Sequence, residues 1–441
     1  MRRVPTPRHC RGIVRHAPAV GSACLLALAL GFPAIAQPAG DQRWVATWAA
    51  PLVARPETPQ RPAPPPAAPA GTPVFRLIPV LNNDIHLDDR TIRQIARATA
   101  GGEQLRIVVS NVFGTQPLEI GRAAVARRAD GHALVPGTVR MLTFGGNYSA
   151  SVLPGAVLVS DSVELMVPPL SDLAIDLYLP GDAAAAESPV SWHNRSDRTS
   201  YVSNPGNHAG TVEFPATAAT ESWFYLARVE VAARDHTGAV VTIGDSITDG
   251  YCSSVDGNSA WPDHLAARFQ ANGIDLAVLN VGIGGNRVLG GGAGRSALAR
   301  FDRDVLLQTG ATHVIVLEGI NDISGAPRPG VTAAALIAGH RQLIARARAR
   351  GLTIFGATLT PFEGTTIPGY WTPEGEAIRR ELNEWIRTSG EYDAVFDFDA
   401  ATRDPARPTW FLPEYDCGDR LHPGDAGYEA MANAVSLDLF R

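Results

Sequence analysis

The sequence predicts an α/β protein in two parts: an all-β sandwich followed by a doubly wound, parallel five-stranded sheet. Two observations carry this. From about residue 75 to 231, apolar residues recur with period two between Gly- and Pro-rich turns, with almost no helical periodicity. From residue 239 onward, short apolar strands alternate with helical stretches, the rhythm of a parallel sheet covered on both faces. A length of 441 residues with 45% hydrophobic and 19% charged residues leaves room for two or three globular domains.

The opening segment stands apart. Arg2, Arg3, Arg8, Arg11 and Arg15 precede an apolar run, 23–32, and Ala34-Ile35-Ala36 follows as an A-x-A cleavage site. Residues 1–36 read as a secretory signal peptide, because the apolar run is too short to span a bilayer. Cleavage near Ala36 would give a secreted or periplasmic protein. Taking those five Arg from 38 basic residues, against 44 acidic ones, leaves a balance of −11. That charge argues against nucleic-acid and membrane partners. All the basic residues are Arg; the absence of Lys excludes Schiff-base and P-loop lysine chemistry.

A short strand, 44–50, is followed by nine Pro in the 23 positions 51–73. Such a run has few backbone donors and is expected to form a polyproline-like loop inside the first domain. Leu173, Ile175, Leu177 and Leu179 then alternate with Ala174, Asp176 and Tyr178, and similar runs recur to residue 231. The first domain is placed at 37–235 and the second at 236–441. Their joint is short and not Gly/Ser-rich, so the two are expected to pack together.

In the second domain, strands are expected at 239–243, 276–281, 313–317, 352–357 and 394–398. Helices are expected at 261–270, 296–308, 333–350, 373–388 and 426–439. Ligands bind such sheets at the carboxyl ends of the strands. The first strand runs into Gly244-Asp245-Ser246-Ile247-Thr248-Asp249-Gly250, where a Ser alone is ordinarily a turn or helix cap. Other ends change the weighing. The second gives Asn280-Val281-Gly282-Ile283-Gly284-Gly285-Asn286, and the third gives Glu318-Gly319-Ile320-Asn321-Asp322. Asp416-Cys417-Gly418-Asp419-Arg420-Leu421-His422-Pro423 stands near the C-terminus.

These four blocks, in this order, resemble the SGNH (GDSL-type) serine hydrolases, over about residues 239–441. The resemblance implies a flavodoxin-like sheet and a serine esterase working through an acyl-serine intermediate. Ser246 would attack, His422 would move the proton, and Asp419 would fix the imidazole. The oxyanion would be met by the amides of Ser246 and Gly285 and by the side chain of Asn321. Asp245, Asp249 and Asp322 read as acceptors that order loops. His264, His313 and His340 fall inside helical or strand patterns and read as packing residues. If the triad forms, the loops bearing Cys252 and Cys417 approach each other. Export then favours a disulfide between them, the alternative being two buried thiols.

Trp261-Pro262-Asp263, Ala299-Arg300-Phe301-Asp302-Arg303-Asp304, Gly356-Ala357-Thr358-Leu359-Thr360-Pro361-Phe362 and Gly424-Asp425-Ala426-Gly427-Tyr428 resemble a secreted, XynE-like esterase subgroup. That resemblance implies short acyl groups such as O-acetyl on carbohydrate. Phe362, Tyr370, Trp371 and Tyr415 would line an acyl or sugar pocket, or pack at its rim. No metal and no cofactor is expected. Two rivals stay open: a lipase or thioesterase acting on longer acyl chains, and a non-catalytic carbohydrate-binding protein on a hydrolase fold. The first is disfavoured by the lack of an apolar lid segment in the sequence, the second by five intact site positions.

Overall fold

Side-chain alternation dictates the layering of the N-terminal half. A computed structural model describes residues 43–55, 87–181, 188–233 and 237–441. The expected signal peptide and residues 56–73 of the Pro-rich run lie outside the described residues. Leu173, Ile175, Leu177 and Leu179 of strand Ser171–Leu179 join Ile92 and Ala96 of Arg90–Ala98 in one buried cluster. Leu105, Ile107 and Val109 of Gly102–Ser110 enter the same cluster. The first two strands lie in a six-stranded antiparallel sheet and the third in a five-stranded one, so the cluster is the shared core of a β-sandwich. Each fully buried Leu or Ile contributes roughly 1.5–3 kcal/mol, which makes this alternation decisive. On the opposite face, Asp176 accepts from Arg93 at 2.8 and 2.7 Å, so neither buried charge is left unpaired.

The C-terminal half is built on five parallel strands. In spatial order they are Leu276–Gly282, Gly238–Gly244, Ala311–Leu317, Thr353–Ala357 and Ala394–Phe396. Every position of Gly238–Gly244 is buried, as a central strand covered on both faces requires. Gly244 lies in register with Gly282 on one side and Leu317 on the other, so three strands end level. The chain order reverses about Gly238–Gly244, and that switch point opens the crevice beside Ser246.

The main helices start where the chemistry of their caps says they should. Thr332 and Thr372 accept from Ala335 and Gly375 amides at the heads of Ala333–Ala349 and Pro373–Thr388, the latter with Pro at its start. Two predicted helices differ. The stretch 296–308 divides into Ala297–Phe301 and a π turn, Asp302–Leu306. The wider turn seats the buried Asp304 between Arg303 (2.6 Å) and Arg300 (3.4 Å), a demand that periodicity does not encode. The last helix ends at Asn433 and is followed by a 3₁₀ turn, Leu437–Phe440.

The two halves meet along the edge strand Leu276–Gly282. Thr99 of the sandwich donates its hydroxyl to the Val278 carbonyl at 3.1 Å and accepts from the Val278 amide at 3.0 Å. Strand Arg43–Ala49 serves both cores: Val45 and Ala49 pack with the parallel sheet, Trp48 with the sandwich. The edge is thereby covered rather than open to pairing with another chain.

Candidate active site

Ser246 opens a four-residue helix, Ser246–Asp249, immediately after the central strand. Asp245 caps it, its side chain accepting from the Ile247 amide at 2.9 Å. Gly244 is required for close approach, since a Cβ there would lie 2.4 Å from the Leu317 carbonyl oxygen. As the first helical residue, Ser246 carries one of the amides for which a helix has no internal partner. Its hydroxyl oxygen lies 2.9 Å from His422 Nε2.

The partner loop is ordered largely by one carboxylate. Asp419 Oδ1 accepts from the amides of Leu421 and His422, both at 2.9 Å, while Oδ2 lies 2.6 Å from His422 Nδ1. Burial alone would raise the Asp419 carboxyl, but the His422 bond and charge and the two amides outweigh it and hold it below its ordinary value. Tyr251 packs against the His422 ring with centroids 4.3 Å apart, and the Arg195 guanidinium lies 3.5 Å from the Tyr251 ring centroid. Cys252 and Cys417 form a disulfide with Cα atoms 6.2 Å apart, joining the segment after Ser246 to this loop.

The expected oxyanion donors stand at the ends of the three level strands. Gly285 has φ +76°, a left-handed conformation that strains any other residue, and an added Cβ would meet Ala293 Cβ at 3.3 Å. The Tyr370 hydroxyl donates to Asn321 Oδ1 at 2.7 Å. This turns the Asn321 amide nitrogen away, where it has no hydrogen-bond partner among the described residues.

Behind the strand ends lies a buried electrostatic frame. Arg300, 1% exposed, donates to the carbonyls of Gly244 (2.9 Å) and Val281 (2.6 Å) and to Asn286 Oδ1 (2.9 Å). One guanidinium thus ties two strand ends to the glycine loop. Asp322 accepts from the amides of Val288 and Leu289 at 2.8 and 3.1 Å, fixing the same loop from the other side. Burial pushes the carboxyls of Asp245, Glu318 and Asp322 upward.

The structure brings Ser246, His422 and Asp419 into one hydrogen-bonded line and places Gly285 and Asn321 at neighbouring strand ends. Asp245, Asp249 and Asp322 act as loop acceptors, and His340 packs in the core, with Nδ1 2.6 Å from the Tyr392 hydroxyl. Among the aromatic candidates, Phe362 is a correction: it is 0% exposed and belongs to the core, so it offers no surface to a ligand. Tyr370 and Trp371 are half-buried against that core, with Tyr370 committed to Asn321. Tyr415 is half-buried in the Cys417 loop, its carbonyl accepting from Gly424 at 2.8 Å. Sequence reasoning missed Tyr251 and the contribution of the sandwich, Arg195 and His193. No motif signals these residues: Tyr251 follows Ser246 by five positions but meets the His422 ring only in the fold, and Arg195 and His193 come from the sandwich.

Residues 242–430 match the GDSL-like Lipase/Acylhydrolase family. No curated protein matches the chain. Among solved structures, it is similar to the lipase/acylhydrolase from Enterococcus faecalis, at 23% identity, covering 45% of this chain and 92% of that one with TM-score 0.36. It is also similar to the M. smegmatis aryl esterase (16% identity, 46% and 98% covered, TM-score 0.37). A third likeness is to the acetylxylan esterase Axe2 from Geobacillus stearothermophilus (24%, 45% and 91%, TM-score 0.34).

Proposed function

We propose that this carboxylic ester hydrolase, whose residues 242–430 are a GDSL-type (SGNH) domain, works through an acyl-serine intermediate on Ser246. The line Ser246 Oγ–His422 Nε2–Asp419, at 2.9 and 2.6 Å, carries the reading. An ionised Asp419 can only accept, so the proton sits on His422 Nδ1 and Nε2 turns its lone pair to the serine hydroxyl. His422 takes that proton as Oγ attacks the ester carbonyl, then delivers it to the leaving alcohol. Water, activated by the same imidazole, frees the acid. The amides of Ser246 and Gly285 and the Asn321 side chain hold the oxyanion, and loss of one such donor costs about 3 kcal/mol.

The substrate we propose carries short acyl groups, such as O-acetyl on carbohydrate. The XynE-like motifs support this, and so does a polar border. Arg195 lies over Tyr251 and Arg328 donates to the Asn321 carbonyl at 3.1 Å, surroundings that suit a hydroxyl-rich alcohol better than a long acyl chain. The reading of residues 1–36 as an export signal belongs to the same proposal. Ser246→Ala is expected to abolish hydrolysis without unfolding, and a fluorophosphonate probe to label Ser246. Appreciable activity in that variant would sink the mechanism. Rates over a chain-length series of aryl esters, beside acetylated xylan, test the substrate: a maximum at long chains would point to a lipase or thioesterase instead.

A further inference from the structure

His193 ends the short sandwich strand Ser191–His193 and is 2% exposed, stacked on Trp223 with centroids 5.4 Å apart. Both ring nitrogens face acceptors. Nδ1 lies 3.1 Å from the Pro51 carbonyl oxygen and Nε2 lies 3.0 Å from Asp249 Oδ1. Neither a carbonyl nor an ionised carboxylate can donate, and a neutral imidazole has a single N–H. With Asp249 ionised, both contacts are hydrogen bonds when the ring carries two protons. Asp249 Oδ2 in turn accepts from the Gly284 amide at 3.1 Å, and the Asp249 amide donates to the Asp245 carbonyl at 2.9 Å. One carboxylate therefore joins the sandwich, the Ser246 helix and the loop of the oxyanion glycine.

We propose that His193, held as an imidazolium, is a positioning residue for hydrolysis: through Asp249 it fixes the peptide between Ile283 and Gly284, one residue before the Gly285 amide. The proposal rests on the reading of Ser246, Gly285 and Asn321 as the hydrolytic site. Its physical logic has two parts. Adjacent glycines leave this loop with more backbone freedom than any other pair, and a charge-assisted bond to the Gly284 amide anchors the peptide that leads into them. An unpaired Asp249 anion beside the loop would also oppose the negative charge that develops on the substrate oxygen, and the His193 charge offsets it. Among the groups around the ring, burial alone would lower the imidazole, while Asp249 and the Pro51 carbonyl outweigh it and raise the group; Arg300 opposes them. Burial pushes Asp197, which also faces this region, up to about 8. Arg97, Arg198 and Asp263 line the same small cavity beside His193.

Two measurements test this. In the wild-type protein labelled with ¹⁵N-histidine, the His193 ring should show two N–H protons at neutral pH. His193→Phe keeps a ring over Trp223 and removes both donors. Its kcat for an aryl ester, per site titrated with fluorophosphonate, should fall about tenfold with KM within about twofold, less than the roughly 10²–10³-fold loss of a donor itself. The wild-type kcat should decline at alkaline pH as His193 loses its proton, and that limb should be missing from the variant. A singly protonated ring at neutral pH would overturn the proposal. So would an unchanged kcat per titrated site, including the case where only the number of sites falls. Absence of labelling at Ser246 in the wild-type protein would instead sink the hydrolytic reading itself, and this proposal with it.

Discussion

Asn321 shows how a neighbour decides the chemistry of one side chain. Its amide offers an acceptor at one end and two donors at the other, and rotation exchanges them. The Tyr370 hydroxyl, donating to Oδ1 at 2.7 Å, selects the rotamer that leaves the nitrogen available. Tyr370→Phe is therefore expected to lower kcat about tenfold while KM stays within about twofold, against a loss of roughly 10²-fold or more for Asn321→Ala. Steady-state kinetics on one aryl ester separate the two, and a wild-type kcat in Tyr370→Phe would show that Asn321 needs no such support. Asp419 makes a pH prediction. Its carboxyl lies below the ordinary 3.8, so its stabilisation is complete above pH 3.8 and is lost as pH falls through the depressed value. Asp419→Asn should melt below the wild-type protein at neutral pH, and the gap should close under acid conditions; a constant gap would contradict the sign.

Short helices and loops after the strands, rather than the strands themselves, carry the proposed reacting groups, and short-range bonds hold these segments. The Asp419–His422 segment folds around a single carboxylate, so four residues place both the proposed base and its partner. The Cys252–Cys417 bridge then ties that segment to the chain leaving Ser246, across 165 residues. A closed loop of this length confers about 4–5 kcal/mol in the chain-entropy model. Titration of the denatured, unreduced protein should find no free thiol, and reduction should lower both Tm and kcat. Two reactive thiols per chain would refute the bridge. The strands were legible in the sequence, within a residue or two, because burial on both faces demands unbroken apolar runs. The 296–308 helix was misjudged because a buried Asp304 between two arginines imposes a π turn that apolar spacing cannot report.

At the scale of the molecule, the sandwich is a structural partner of the parallel sheet. It covers the edge strand Leu276–Gly282 through Thr99 and strand Arg43–Ala49, and it delivers His193 and Arg195 to the border of the candidate site. Residues 237–441 produced alone would expose that edge and the apolar surface that Val45 and Ala49 now cover. We expect the fragment to aggregate or to melt well below the full protein, measured by circular dichroism and light scattering. A monomeric fragment with full activity would show the sandwich to be dispensable.

By itself, the sequence predicted a β part followed by a parallel α/β sheet, the gathering of candidate groups at strand ends, and Ser246, Gly285, Asn321, Asp419 and His422 as the candidate site residues. These are legible because period-two and strand–helix patterns are local, and because the site motifs lie directly after strands or within one short loop. Tertiary structure alone decided that Phe362 is core, that Tyr370 orients Asn321, and that Arg300 ties the strand ends together. It also decided that His193 reaches Asp249 from 56 residues away in the chain. The physical reason is the range of the interaction: apolar periodicity and turn chemistry act between near neighbours. A hydrogen bond between side chains on separate layers has no signature until both layers are packed.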